Sequence, residues 1–363
     1  MINKPSPIEN TISHTNDSDT NNSIEDREPY LITIPNELGG DRIDVAMSEI
    51  IPELSRNKII NWIKSGHILV DNLPIKPSTK ILGGETVLIT PSLSEAVLAF
   101  TPEKIDLDII YQDAHIIIIN KPNGLVVHPG SGNWSGTLLN GLLYQFPELK
   151  HLPRAGIVHR LDKDTSGLMV VARTILAQTN LVQQLQNRSV IRIYRAIVEG
   201  HTLSNGTINK NIGRNPQNRI KMTVLAVGGK EAITHYRTLQ YFEKFSYIEC
   251  KLETGRTHQI RVHLKEIGHP LVGDQVYGTK KINYPDNIVE AISYLNRQAL
   301  HAIKLSLVHP ATGELVKFKI PLAADMRYLL NELRANEGTS NDNMDDELLD
   351  ETSDNWEVIY VKE

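Results

Sequence analysis

The stretch HRLDKDTSGLMVVA, residues 159–172, joins a charged loop to an apolar strand. Its first half sets Asp162 and Asp164 among His159, Arg160 and Lys163, then closes on the small turn Thr165-Ser166-Gly167. Its second half, GLMVVA, is a continuous apolar run, which suits a strand covered on both faces. HIIIIN (115–120) upstream has the same character, and VIRIYRAIVEG (190–200), ITHYRTLQYF (233–242) and SYIECKLET (246–254) read as further strands downstream. Helical patterns fall at TLLNGLLYQF (137–146), ILAQTNLVQQLQ (175–186), HQIRVHLKEIG (258–268) and MRYLLNELR (326–334). Residues 105–334 are therefore expected to form an α+β domain, a mixed, mainly antiparallel sheet with flanking helices.

A smaller module precedes it. In residues 30–91, LITIP alternates like a strand, and Ile43, Ala46, Met47 and Ile50 share one helical face. Ser55 is placed to cap a second helix that carries Ile59, Ile60 and Ile63 and stops at Gly66. HILVDN and ETVLIT complete a small α/β unit, and residues 92–104 read as a linker. The ends differ in composition: residues 1–28 are polar and carry −4, and 337–363 carry −9. Both extensions are expected to be disordered or acidic tails. With a total of −5, the body 29–336 is left at +8, which permits phosphate binding. The single cysteine, Cys250, excludes an internal disulfide and a cysteine-rich zinc site and fits a reducing cytoplasm. No apolar run reaches the roughly 18 residues of a membrane span.

The charged loop admits several chemistries. Arg160 and Lys163 would repel a divalent cation, and glycoside hydrolysis needs a second carboxylate across a sugar. A surface ion-pair network remains open. So does an aspartate whose ionised form is favoured by nearby cations, suited to act as a nucleophile or base. GRTHQIRVHL (255–264) gathers Arg256, His258, Arg261 and His263 at a helix start. His258 and His263 are five apart, off the same-face spacing of helical zinc pairs, so structural or phosphate-binding roles suit them better. In IRIYRAIVEG, alternation puts Arg192, Tyr194 and Ala196 on one strand face, where a tyrosine shared with an arginine is unusual.

Taken in order, HRLDKDTSGL, RIYRAIVEG (192–200), LETGRTHQIRVHL (252–264), HPLVGDQVYG (269–278) and RQALHA (297–302) resemble the RluA family of pseudouridine synthases over residues 105–334. The pattern SRxxIxxxIxxGxIxVD at Ser55–Asp71 resembles the S-four-type RNA-binding domain that many of these enzymes carry. NKPNGLVVHPG (120–130) and PRAGIVHRLDKDTSGLMVVA (153–172) are most similar to the D-type branch, which acts on large-subunit ribosomal RNA.

The resemblance implies isomerisation of uridine to pseudouridine in 23S ribosomal RNA, at the helix 69 stem-loop. It implies Asp162 as the essential carboxylate, Arg256 as the cation paired with it, and Tyr194 against the uracil. Arg160 would fill the stack vacated by a flipped base, with His159, His258 and Arg261 also binding substrate. Arg56, Lys58 and Lys64 would bind RNA from the small module. No metal and no cofactor are implied, and the partner is the RNA, alone or in an assembling large subunit. A cytoplasmic monomer without a membrane association is expected. The alternatives are a C-type or A-type relative with other ribosomal or transfer RNA targets, and a non-catalytic RNA-binding assembly factor.

Overall fold

A computed structural model of the chain describes residues 28–91, 98–130, 133–218, 221–279 and 284–337. The expected terminal extensions, apart from Glu28 and Glu337, and residues 92–97 of the expected linker lie outside them. The chain divides into two compact units, residues 1–98 and 99–363. No helix among the described residues is long and apolar enough to cross a membrane.

The first unit contains β1 (Tyr30–Thr33), α1 (Ile43–Ile50), α2 (Arg56–Lys64), β2 (Ile68–Val70), β3 (Leu73–Pro74) and β4 (Thr86–Ile89). Its antiparallel sheet runs β1-β4-β2-β3. Ser55 caps α2 by accepting the Lys58 N–H at 3.3 Å. Ile43, Ala46 and Met47 of α1 pack with Ile59, Trp62 and Ile63 of α2 against Ile68, Val87 and Ile89 of the sheet. Asp71 and Asn72 both take positive φ, 49° and 60°, the geometry that a two-residue hairpin between β2 and β3 requires.

The second unit is built on a nine-stranded sheet. Its strands are β5 (Asp108–Gln112), β6 (Ile116–Lys121), β7 (Ser166–Ala172), β8 (Ile191–Glu199), β9 (Asn205–Asn209), β12 (Ile233–Phe242), β13 (Phe245–Leu252), β14 (Leu300–Val308) and β15 (Leu315–Lys319). β10 (Ile212–Arg214) and β11 (Met222–Val224) form a separate hairpin. The order is β5-β6-β7-β14-β8-β13-β12-β9, with β15 on β14. Every pair is antiparallel except β7 and β14, which touch over two residue pairs, Ser166 with His301 and Gly167 with Ala302. Gly167 is required there: its φ is +114°, and a Cβ would stand 2.3 Å from the Ala302 carbonyl oxygen. Beyond that seam β7 diverges and β15 takes over the free edge of β14.

Helices cover both faces, which is why β6 and β7 carry continuous apolar runs. Ile117, Ile119, Met169 and Val171 face α3 (Leu138–Gln145) and α5 (Gln259–Glu266), while Ile116, Ile118, Leu168 and Val170 face α4 (Ile175–Gln186). α6 (Asp286–Leu295) and α7 (Ala324–Asn336) pack on Phe242, Phe245 and Tyr247. The α+β architecture matches the sequence expectation. The second part of the expected linker does not: Asn140 donates to the Thr101 carbonyl at 2.8 Å and the Gly136 N–H to Glu103 at 2.9 Å, so these residues are packed on the second unit.

Candidate active site

Residues 157–165 form the loop that enters β7, and nearly every one of them is fastened. His159 Nε2 accepts the Val170 N–H at 3.0 Å, on a stretch of β7 that β14 does not reach. Burial holds this imidazole neutral, with a pKa near 3, and the Arg192 charge adds to the shift. Leu161 is buried in the core. Lys121, wholly buried, donates through Nζ to the carbonyls of Pro122, Leu125 and Lys163 at 2.7, 2.9 and 2.9 Å. Arg297 donates to the Asp164 carbonyl at 3.2 Å, and Gln298 to Thr165 Oγ1 at 3.0 Å. A loop fixed from both sides of the seam presents Asp162 in one orientation.

Arg261 Nη1 donates to Asp162 Oδ2 at 3.1 Å. The same guanidinium grips Asp274 with Nε and Nη2 at 2.8 and 3.0 Å and lies over the Tyr277 ring. Burial opposes the charge on Arg261, but the bonds to Asp274 and the field of Asp162 outweigh it and raise its pKa. Asp274 is itself preset: its Oδ1 accepts the N–H groups of Val276 and Tyr277, both at 2.9 Å. His258 stands at the start of α5 in a left-handed conformation, φ 56°, with Nδ1 on the Tyr277 hydroxyl at 2.8 Å and Nε2 4.0 Å from Asp162 Oδ1. Among the described residues no hydrogen bond uses that second carboxylate oxygen.

Tyr194 lies at the centre of β8, in register with Cys250 on one side and Ala302 on the other. These small neighbours let the ring reach the cleft while only 5% of the residue is exposed. Burial pushes its hydroxyl up to about 12, Arg192 opposing and Asp162 adding, so the phenol is neutral. Asp162, Tyr194, Arg160, Arg192, Arg256 and His258 line one open cleft of about 890 Å³ in the second unit. Arg160 is exposed within it.

Three expectations change. The cation on Asp162 is Arg261 rather than Arg256: α5 turns Arg261 inward, whereas Arg256 precedes the helix and bonds through Nε to the Glu231 carbonyl at 2.8 Å. His159, expected to bind substrate, braces the loop against β7 with its ring nitrogen. Arg56, expected to contact RNA, donates twice to buried Asp44, at 2.9 and 2.8 Å, tying α2 to α1. Burial raises the Asp44 carboxyl, but Arg56 and Arg42 together bring it below its usual value. Lys58 lies over the Trp62 ring, and Lys64 is exposed. Asp274, Tyr277 and Lys121 carry structural weight that sequence reasoning did not assign. Their signal was there, in the words HPLVGDQVYG and NKPNGL, but not their partners.

The family model for RNA pseudouridylate synthase matches residues 115–266, which hold both the Asp162 loop and α5, and the S4 domain model matches residues 41–87. The ribosomal large subunit pseudouridine synthase D of Neisseria meningitidis serogroup B is 47% identical over 98% of this chain and 99% of its own length. The chain belongs to the RNA pseudouridylate synthase family. It is an RNA pseudouridine synthase with an S4 domain. The synthase D of Pseudomonas aeruginosa is 49% identical over 83% of this chain and 94% of its own. Human RNA pseudouridylate synthase domain containing 4 is 26% identical, with a TM-score of 0.50, covering 62% of this chain and 93% of that one.

Proposed function

We propose that this synthase converts uridines of 23S ribosomal RNA to pseudouridine, with the helix 69 stem-loop as its target, in the free RNA or the assembling large subunit. The names of the relatives support the ribosomal substrate. The reading of the site rests above all on the placement of Asp162: one oxygen bonded to Arg261, the other open to the cleft beside Tyr194. The uridine leaves its stack and its uracil lies against Tyr194. Arg160, planar and exposed, fills the gap left behind. Cleavage of the glycosidic bond builds positive charge on the ribose, which Asp162 stabilises or traps. The uracil turns and rejoins through carbon, so neither water nor a cofactor is consumed. The chain acts as a cytoplasmic monomer, and Lys64 of the S4 unit adds a phosphate contact.

Base-resolution pseudouridine mapping of large-subunit RNA tests this, in cells lacking the gene and complemented with wild type or Asp162→Ala. Wild type is expected to restore the helix 69 pseudouridines and the variant none. Restoration at other uridines would move the target to that of a C-type or A-type relative. Restoration by the variant would remove Asp162 from the chemistry, and no change with either would favour an assembly role.

A further inference from the structure

β8 sends two side chains of one face into the cleft, and the proposed chemistry uses only Tyr194. The other, Arg192, is 6% exposed. Its Nη2 donates to the Glu253 carbonyl at 3.0 Å, and its Nε meets no acceptor among the described residues. No carboxylate pairs with it there. The bare Cα of Gly255 makes room for Nη1, since a Cβ at that position would stand 2.9 Å away. Neighbouring arginines differ: Arg195 pairs with Glu249, Arg188 with Glu231 and Glu253, and Arg261 with two aspartates. A buried guanidinium holding one neutral acceptor is unfavourable in the free protein. An anion arriving with the substrate would match such a group.

We infer that Arg192 binds a carbonyl oxygen of the target uracil and holds the negative charge that the ring carries once it is detached. When the C1′–N1 bond breaks, its electron pair stays with the uracil and spreads over N1, C5 and the two carbonyl oxygens. C5 then bonds C1′, and the proton lost from C5 is balanced by one gained at N1. Asp162 serves the sugar, and Arg192 serves the base. Both lie within electrostatic reach of the Tyr194 hydroxyl, with opposite effects on it. A ring stacked on Tyr194 with its sugar at Asp162 therefore has Arg192 within its surroundings. A backbone phosphate, which stays hydrated, is better met by an exposed side chain such as Arg160. The inference rests on the assignment of Asp162 and Tyr194 to the uridine.

The test uses full-length wild type, Arg192→Met, Arg192→Lys and Asp162→Asn with a large-subunit RNA transcript tritiated at C5 of uridine. Single-turnover tritium release is followed at increasing enzyme and at several salt concentrations, alongside thermal unfolding. Arg192→Met is expected to lower the saturated rate about 100-fold. The half-saturating enzyme concentration and its salt slope stay unchanged, and the unfolding temperature holds or rises because an unpaired buried charge is gone. Arg192→Lys keeps an intermediate rate. A saturated rate within about twofold of wild type would overturn the inference, as would weaker binding with a salt slope reduced by about one, the mark of a phosphate contact. A lower unfolding temperature in both Arg192 variants would also overturn it, leaving the residue a structural role. Failure of the underlying site reading is separate: it appears as full tritium release by Asp162→Asn.

Discussion

At the scale of single residues, the cation beside Asp162 separates what the sequence displays from what it hides. Asp162 and Tyr194 are legible because each sits inside a distinctive word on a loop or strand of clear type. Arg256 and Arg261 lie five apart in the same word, and only the turn into α5 decides which of them faces inward. Asp274 is farther along the chain and becomes visible only when Arg261 grips it. Arg261→Gln would leave Asp274, whose side chain is fully buried, without its cation, at a cost of roughly 3–5 kcal/mol. Denaturant unfolding should show that loss, and single-turnover rates should fall by at least about 100-fold. Arg256→Gln should leave stability within about 0.5 kcal/mol, because Arg256 is only half-buried and the bond its side chain makes runs to one carbonyl. Equal destabilisation by the two substitutions would restore Arg256 to the paired position.

At the scale of elements, the strands covered on both faces and the helices with clear periodicity or caps are where sequence and structure agree. Thr137 and Asn140 close a capping box at the start of α3, and Thr174 caps α4. β14 was not legible as a strand. Its sequence LHAIKLSLV carries His301, Lys304 and Ser306 at buried positions, so the hydrophobic pattern is interrupted by polar groups. His301, for example, is bonded to Ser166 and to the Pro321 carbonyl. Lys121, at the end of β6, is the sharper case, a buried side chain whose Nζ joins the carbonyls of Pro122 and Leu125 to that of Lys163 in the Asp162 loop. Burial pulls its pKa down to about 7, against the opposing pull of Asp164 and Asp162. An unfolded lysine titrates near 10.4, so between the two values the unfolded chain holds a proton that the folded chain has released, and stability rises with pH. The stability of wild type relative to Lys121→Met should therefore improve by up to about 4 kcal/mol between pH 7 and pH 10. A flat difference, measured by denaturant unfolding at each pH, would mean that the three carbonyls keep the ammonium charged throughout.

At the scale of the whole molecule, charge is distributed by region, with a body at +8 between segments of −4 and −9. Phosphate contacts govern non-specific RNA affinity, so the acidic segments should compete with RNA for the basic body. Removing residues 338–363 is expected to strengthen binding to unrelated RNA at low salt and to lose that effect as salt rises; unchanged low-salt affinity in a filter-binding titration would exclude the idea. The division into two units falls within residues 92–104, which read as a linker, but the packing of residues 99–104 on the second unit was not legible, because it depends on side-chain bonds such as that from Asn140. The place of β14 in the sheet has a consequence for the order of events during synthesis. The strand that separates β7 from β8 is made from residues 300–308, more than a hundred residues after both of its neighbours. Until it emerges from the ribosome, β7 and β8 present open edges to one another. Arg297 and Gln298, which fasten the Asp162 loop, come with it, and Asp325, which holds Arg297, comes later still. Such long-range closure is slow, and the nascent chain meets it last. A newly made chain therefore gains its working site only after residues 297–325 have been added to it.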